Sequence, residues 1–234
     1  MGAPSEELDE TASSTARSRV ERPARDRFMR RPVPPVVSVD AHAKRSFGVV
    51  DELADLLPEG RIRAGSVVAV RGSTGATSLA LLTVARSAMQ GSWVAVVGIA
   101  DLGIEAASEL GLPLERVVLI SRPTSRWVEA VAVLLRGVDV VVLSPPGRCS
   151  ARDARRMAAI ARERGSLLVV TRGAGYDDDW SWPVPADVTL EALSSRWGGL
   201  DEGHGTLCSR EIAVRVFGRR AHSLERRGVV TCGF

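Results

Sequence analysis

The chain has 234 residues, 45% of them hydrophobic and 25% charged, and a formal net charge of +3. That is enough for one sizeable core, and it excludes a polycation. Lys44 is the single lysine, so the abundance of arginine is a compositional bias and not by itself a nucleic-acid signal.

Residues 1–44 read as a disordered tail. Met1 to Ala16 is rich in Ser, Thr, Ala and Glu, and Arg17 to Arg31 carries seven arginines against Glu21 and Asp26. Pro32-Val33-Pro34-Pro35 then holds the backbone extended. This tail is either a solvated extension or an electrostatic arm for nucleic acid or an acidic partner. The N-terminus has no apolar signal core, and the longest apolar runs are strand-length. A cytoplasmic protein with no membrane partner is expected.

A core domain is expected over 45–218. Ser46 to Leu57 places Phe47, Val50, Leu53, Leu56 and Leu57 at helical spacing, and Pro58-Glu59-Gly60 stops it. Arg61 to Ala64 bridges into the stretch that organises the chain, Gly65 to Gly98. There Ser66 to Val70 is a β-branched strand run, Gly72 and Gly75 punctuate it, Thr77 to Met89 is a helix, and Trp93 to Val97 is a second strand. The alternation continues with a helix at Ile104 to Leu110, a strand at Val117 to Ser121 and a helix at Arg126 to Arg136. It then gives a strand at Val138 to Ser144, a helix at Cys149 to Glu163 with arginines on its polar face, and a strand at Ser166 to Thr171. Near-continuous apolar strands between amphipathic helices predict an α/β fold with a mostly parallel sheet covered on both faces. Gly173 to Pro185 reads as a loop. Asp187 to Ser195 and Arg210 to Phe217 alternate as antiparallel neighbours, joined through a glycine-rich loop or wide turn at Trp197 to Thr206. Residues 219–234, with Arg219, Arg220, Arg226 and Arg227, read as a basic C-terminal tail.

A strand entering a helix through glycines presents backbone N–H groups and the helix dipole to an anion. The phosphate-loop pattern G-x-x-x-x-G-K-[ST] is nevertheless broken here. The chain offers Gly72-Ser73-Thr74-Gly75-Ala76-Thr77-Ser78, two residues short, with Ala76 in the place of the lysine. Gly72, Ser73, Thr74, Gly75, Thr77 and Ser78 form a vestigial nucleotide-binding set, or simply a tight turn. No catalytic residues and no metal ligands are assigned. His42, His204 and His222 stand far apart with no nucleophile pattern beside them. Asp177-Asp178-Asp179 lacks the spacing of a calcium loop. Cys149, Cys208 and Cys232 are odd in number and form no C-x-x-C pair, which argues against disulfides and zinc. Trp180 and Trp182 are candidate partner anchors, because aromatics and arginine dominate interface hot spots. The alternative is that they fold back onto the sheet edge.

In this order the chain resembles the RecA superfamily core, and within it the RecA-related accessory proteins of bacterial mutagenesis cassettes, the ImuA type in its actinobacterial form. The likeness is carried by LADLLPEGRIRAGSVVAVRG (53–72), by the strand at 93–99 followed by IEAASELGLPLERVVLISRP (104–123), and by VDVVVLS (138–144) in the place of the metal-binding strand. The strands at 187–217 resemble the antiparallel closure of that core. Ser144 stands where the resemblance leads one to expect a magnesium-binding aspartate, and Asp101 lies near but out of register with a water-activating glutamate. Phosphoryl transfer rests on charge stabilisation by lysine and Mg²⁺, so a non-enzymatic protein is expected, with weak ATP or ADP binding left open. The resemblance implies an adaptor of SOS-induced mutagenic translesion synthesis, associated with the nucleoid during DNA damage. Its partners would be a Y-family-polymerase-like protein of the ImuB type and an error-prone replicative polymerase, with RecA and single-stranded DNA as further partners. The two tails are its expected contact surfaces. The alternatives are a RecA-like ATP-binding protein or ATPase, and a regulator of RecA or of cell division on the same degenerate core.

Overall fold

Four short apolar runs set the architecture. β3 (Val67–Arg71), β4 (Val94–Val97), β6 (Val140–Leu143) and β7 (Leu167–Thr171) are buried along their whole length except Arg71. Strands buried on both faces belong to a parallel sheet covered by helices. In the computed structural model, which describes Gly2 and residues 46–172, 181–201, 204–219 and 225–233, these strands are parallel neighbours in the order β3-β7-β6-β4. β5 (Val117–Ile120) adds in parallel beyond β4. On the other side β8 (Val188–Asp201) runs parallel to β3, β9 (His204–Phe217) antiparallel to β8, and β10 (Arg226–Gly233) antiparallel to β9. The eight-stranded sheet is therefore ordered β10-β9-β8-β3-β7-β6-β4-β5. This is the mixed α/β, mostly parallel fold with closing antiparallel strands that the sequence predicts.

The pleat divides the core in two. Val68 and Val70 join one cluster with Leu79, Val84 and Ala85 of α2 (Ala76–Met89) and Ala107 of α3 (Ile104–Glu109). Val67 and Ala69 join the other with Val131 and Leu135 of α4 (Trp127–Gly137) and Met157 and Ala161 of α5 (Ala151–Arg164). Alternate residues of one strand feed opposite cores because the side-chain period of a strand is two. α5 begins sharply, since Ser150 Oγ accepts the Asp153 N–H at 3.0 Å, and it ends at Gly165 in the left-handed region. Two aspartates finish the amino ends of buried strands. Asp139 Oδ2 accepts the Trp93 N–H at 2.8 Å, and Asp187 Oδ2 accepts the Val67 N–H at 2.9 Å. Each satisfies a donor that no neighbouring strand reaches.

Three expectations are corrected here. Ser46 to Leu57 is not one helix. β1 (Ser46–Gly48) pairs antiparallel with β2 (Arg61–Arg63), with Phe47 opposite Ile62, and only Asp51–Ala54 is helical, as α1. Phe47 and Val49 are both buried, so burial with a period of two wins over the helical spacing that the same residues also fit. The glycine-rich stretch Trp197 to Thr206 is not a wide loop, because β8 and β9 run through it as far as Asp201 paired with His204. Register shifts at Ala192/Ser194 and Gly198/Leu200 let the long ribbon bend. Finally, Arg226–Gly233 is not a tail. It forms β10, and Val230 and Cys232 are buried under α1 and the β9 face. Its alternation V-x-C was too short to read beside four arginines. Residues 1–44, Gly2 excepted, lie outside the described residues, as do 173–180 and 220–224. Among the described residues no helix is long and apolar enough to cross a membrane.

Candidate functional site

The carboxyl ends of β3, β4, β6 and β7 meet at one edge of the sheet, where open α/β sheets hold their ligands. Backbone there is packed to the limit. Gly72, at φ 132°, would place a Cβ 2.4 Å from the Ala192 carbonyl oxygen, and Gly98, at φ 82°, would place one 1.9 Å from the Ser144 carbonyl oxygen. Only glycine fits at either point. The Gly98 N–H donates to Ile120 O and the Ser144 N–H to Val97 O, each at 2.8 Å, so the ends of β4, β5 and β6 are tied together. A cleft of about 550 Å³ opens between them, lined by Gly72 to Ser78, Gly98 to Asp101, Ser144, Thr171, Arg172 and Arg210.

The whole vestigial set of Gly72, Ser73, Thr74, Gly75, Thr77 and Ser78 thus lies together on this cleft. Gly75 is the N-cap of α2 at φ 85°, and no side chain caps the helix. The first intrahelical bond is Leu79 N–H to Gly75 O at 2.8 Å, so the amides of the first turn precede it and face the cleft's end of the helix. Ala76, in the place of the lysine, is buried and belongs to the α2-side core.

A cation does reach this turn, from a strand two places from β3 in the sheet. Arg210 of β9 donates from Nη1 to Ser78 Oγ at 3.0 Å and from Nε to Ser195 Oγ at 2.6 Å. Its guanidinium lies 4.6 Å from the centre of the Trp197 ring, the residue opposite it on β8. The sequence reading missed Arg210. Its signal was register, since Arg210 shares the inward side of β9 with Ile212, Val214 and Val216. Arginine at such a position needs a partner, and the partner is α2.

Ser144 and Asp101 are polar side chains at and beyond the carboxyl ends of β6 and β4 on this cleft. Ser144 is buried and donates from Oγ to Arg172 O at 3.1 Å. Asp101, the one carboxylate among the residues lining the cleft, is exposed. Among the described residues no group of three or more His, Cys, Asp or Glu side chains is placed to hold a metal ion. The cleft thus brings together the amides of the glycine turn, the amino end of α2, the Arg210 guanidinium and the Asp101 carboxylate.

The other named residues do not gather. Trp182 is 6% exposed within the α4/α5-side core, so it packs the sheet and is not a surface anchor. Trp180 and Arg220 lie outside the described residues, as do His42, His222 and Asp177-Asp178-Asp179. The tryptophan that is exposed is Trp197, at 45%. Arg219 is exposed and donates to Pro185 O at 3.2 Å. Arg226 donates to Asp55 O and Leu57 O at 3.3 and 3.4 Å, holding β10 against the end of α1, and Arg227 pairs with Glu225 at 2.7 Å. His204 sits exposed at the β8–β9 turn. All three cysteines are free thiols. Burial, with Asp153 adding to it, pushes the Cys149 thiol up to about 11, and burial also raises that of Cys232.

The fold and cleft thus define a mostly parallel α/β protein with a strand–glycine turn–helix unit on its cleft and Ala76 where the phosphate-loop pattern has lysine. Residues 55–181 match the family model described as the MT3502 N-terminal domain, and the chain belongs to that family. It is also similar to the uncharacterized protein Rv3395c of Mycobacterium tuberculosis, with 40% identity over 129 residues, which cover 54% of this chain. The match spans 59% of that protein's length. The family match holds the glycine turn, Ser144 and α5, and ends before β8, so Arg210 and Trp197 lie outside it.

Proposed function

We propose that this chain is a non-enzymatic accessory protein of damage-induced mutagenic translesion synthesis, of the RecA-related ImuA type. It binds a Y-family-polymerase-like partner and supports an error-prone replicative polymerase at lesions. The observation that carries the reading is the pairing of a retained β3–glycine turn–α2 geometry with Ala76 and Ser144 where lysine and a metal-binding carboxylate would act. Efficient phosphoryl transfer needs those charges, so the core serves as a scaffold. The resemblance of 53–72, 104–123 and 138–144 to that family supplies the biology, and the match to a mycobacterial relative is in keeping with an actinobacterial form. The test is induced mutation in the native host. Deleting the gene lowers mutation frequency after DNA damage, and undiminished mutagenesis contradicts the reading.

A second reading is favoured by Arg210 beside the first turn of α2: the cleft retains a nucleotide or another phosphate compound without hydrolysing it. Calorimetry with ADP and with ATP tests it. Micromolar-to-millimolar binding with no phosphate release supports retention, and turnover supports an unusual ATPase instead.

A further inference from the structure

α5 has the sequence ARDARRMAAIARER, with five arginines against Asp153 and Glu163. Its surplus of three positive charges is as large as that of the whole chain, which has 31 Lys and Arg against 28 Asp and Glu. Among the described residues, no other helix of the fold carries a surplus of more than one positive charge. Ala154, Met157, Ala158, Ile160 and Ala161 are buried, and Arg152, Arg155, Arg156 and Arg162 occupy the opposite arc, with Glu163 among them and paired to Arg164. At about 100° per residue, Arg155 and Arg162 stand on one side of the helix with Arg152 on the next column, and Asp153 falls on the opposite flank. The row from Arg152 to Arg162 is roughly 15 Å long.

Arg155 and Arg162 line a shallow cleft of about 190 Å³, and Arg219, just past β9, lines it from the other wall. The carboxylate in that cleft, Asp187, accepts the Val67 N–H. Among the described residues, none of Arg152, Arg155, Arg156, Arg162 and Arg219 is in an ion pair. None of the exposed large hydrophobic residues lies on α5. A protein partner is anchored by buried aromatic or aliphatic side chains, and a membrane surface by an apolar helix face. Neither is on this surface. A row of unpaired cations with no apolar anchor fits a polyanion whose affinity comes from released counterions.

We propose that this flank of α5, with Arg152, Arg155 and Arg162 and with Arg219 beside them, binds the phosphate backbone of nucleic acid without regard to sequence. The surface lies on the α4/α5 side of the sheet, away from the α2 turn, and its role does not rest on the adaptor reading. A chain that captures no polymerase would still bind DNA through it.

The experiment is fluorescence anisotropy of a labelled oligothymidine with the full chain, from about 50 to 200 mM salt. Replacing Arg152, Arg155 and Arg162 together by Gln weakens binding about ten-fold at the lowest salt and flattens the slope of log K against log salt by about two, near 0.7 for each lost contact on a single strand. The same three positions changed to Lys keep the slope, which separates lost charge from lost packing. Arg122→Gln with Arg126→Gln, exposed beyond the end of β5, leaves the slope at the wild-type value. The proposal is overturned if the Gln triple variant keeps the wild-type slope, or if the Arg122 and Arg126 pair carries the loss. Failure of the wild-type chain to bind the oligonucleotide, or its binding only to vesicles of acidic phospholipid, overturns it equally.

Discussion

Arg210 and Ala76 both line the cleft at the turn into α2. A buried alanine stands where a lysine would carry charge from within the loop, and an arginine carries charge in from β9. On the reading that the cleft retains a phosphate compound, Arg210→Ala lowers affinity for ADP or pyrophosphate by about ten-fold or more, the worth of a hydrogen bond to a charged group. Calorimetry at constant salt reads it, and unchanged affinity would show that the guanidinium serves only Ser78, Ser195 and Trp197. Gly98→Ala tests the packing of the same edge. A Cβ 1.9 Å from a carbonyl oxygen at φ 82° has nowhere to go, so the variant loses more than about 3 kcal/mol of stability in urea melts. The thiols differ by burial. Because burial disfavours the thiolate, Cys149 stays protonated until about pH 11, whereas Cys208 is exposed. Labelling with a maleimide at neutral pH followed by peptide mapping should modify Cys208 first. Cys149 should gain reactivity only as the pH climbs toward that value, and preferential labelling of Cys149 at neutral pH would contradict this placement.

At the scale of elements, β10 carries the clearest prediction. Val230 is fully buried, and such a side chain contributes about 1.5–3 kcal/mol. Truncation before Arg226 therefore lowers the melting temperature by about 3–12 °C for a chain of this size, as calorimetry would measure. A basic tail would be removed without effect. The parallel strands were legible in the sequence because burial on both faces forces continuous valine and leucine runs, as in Val140 to Leu143 and Leu167 to Thr171. The glycine turn was legible because Gly72 and Gly75 interrupt a strand–helix boundary. What could not be read depends on partners distant in sequence. The strand identity of Phe47 is decided by Ile62, that of Val230 by Ile212 opposite it, and the place of Arg210 by the register of β9 on β8. Trp182 was ambiguous for the same reason, since only the packed sheet shows that it faces the core.

For the whole molecule, one sheet separates two surfaces of different chemistry. The cleft at the carboxyl edge, on the α2 turn, combines amides with Arg210, while the arginine row of α5 lies on the other helical layer. On the proposed reading, the cleft holds a small anion and the arginine row a nucleic-acid strand, on separate surfaces of one scaffold. The contact surface for a polymerase is then sought outside the cleft, and the exposed ribbon of β8 and β9 with Trp197, Leu200 and Leu207 is available on the described surface. The most direct test is affinity capture of the tagged full-length chain from its own host after DNA damage, with the bound proteins identified by mass spectrometry. The account predicts recovery of a Y-family-polymerase-like protein together with an error-prone replicative polymerase. Recovery of RecA or of division proteins with no polymerase would contradict it.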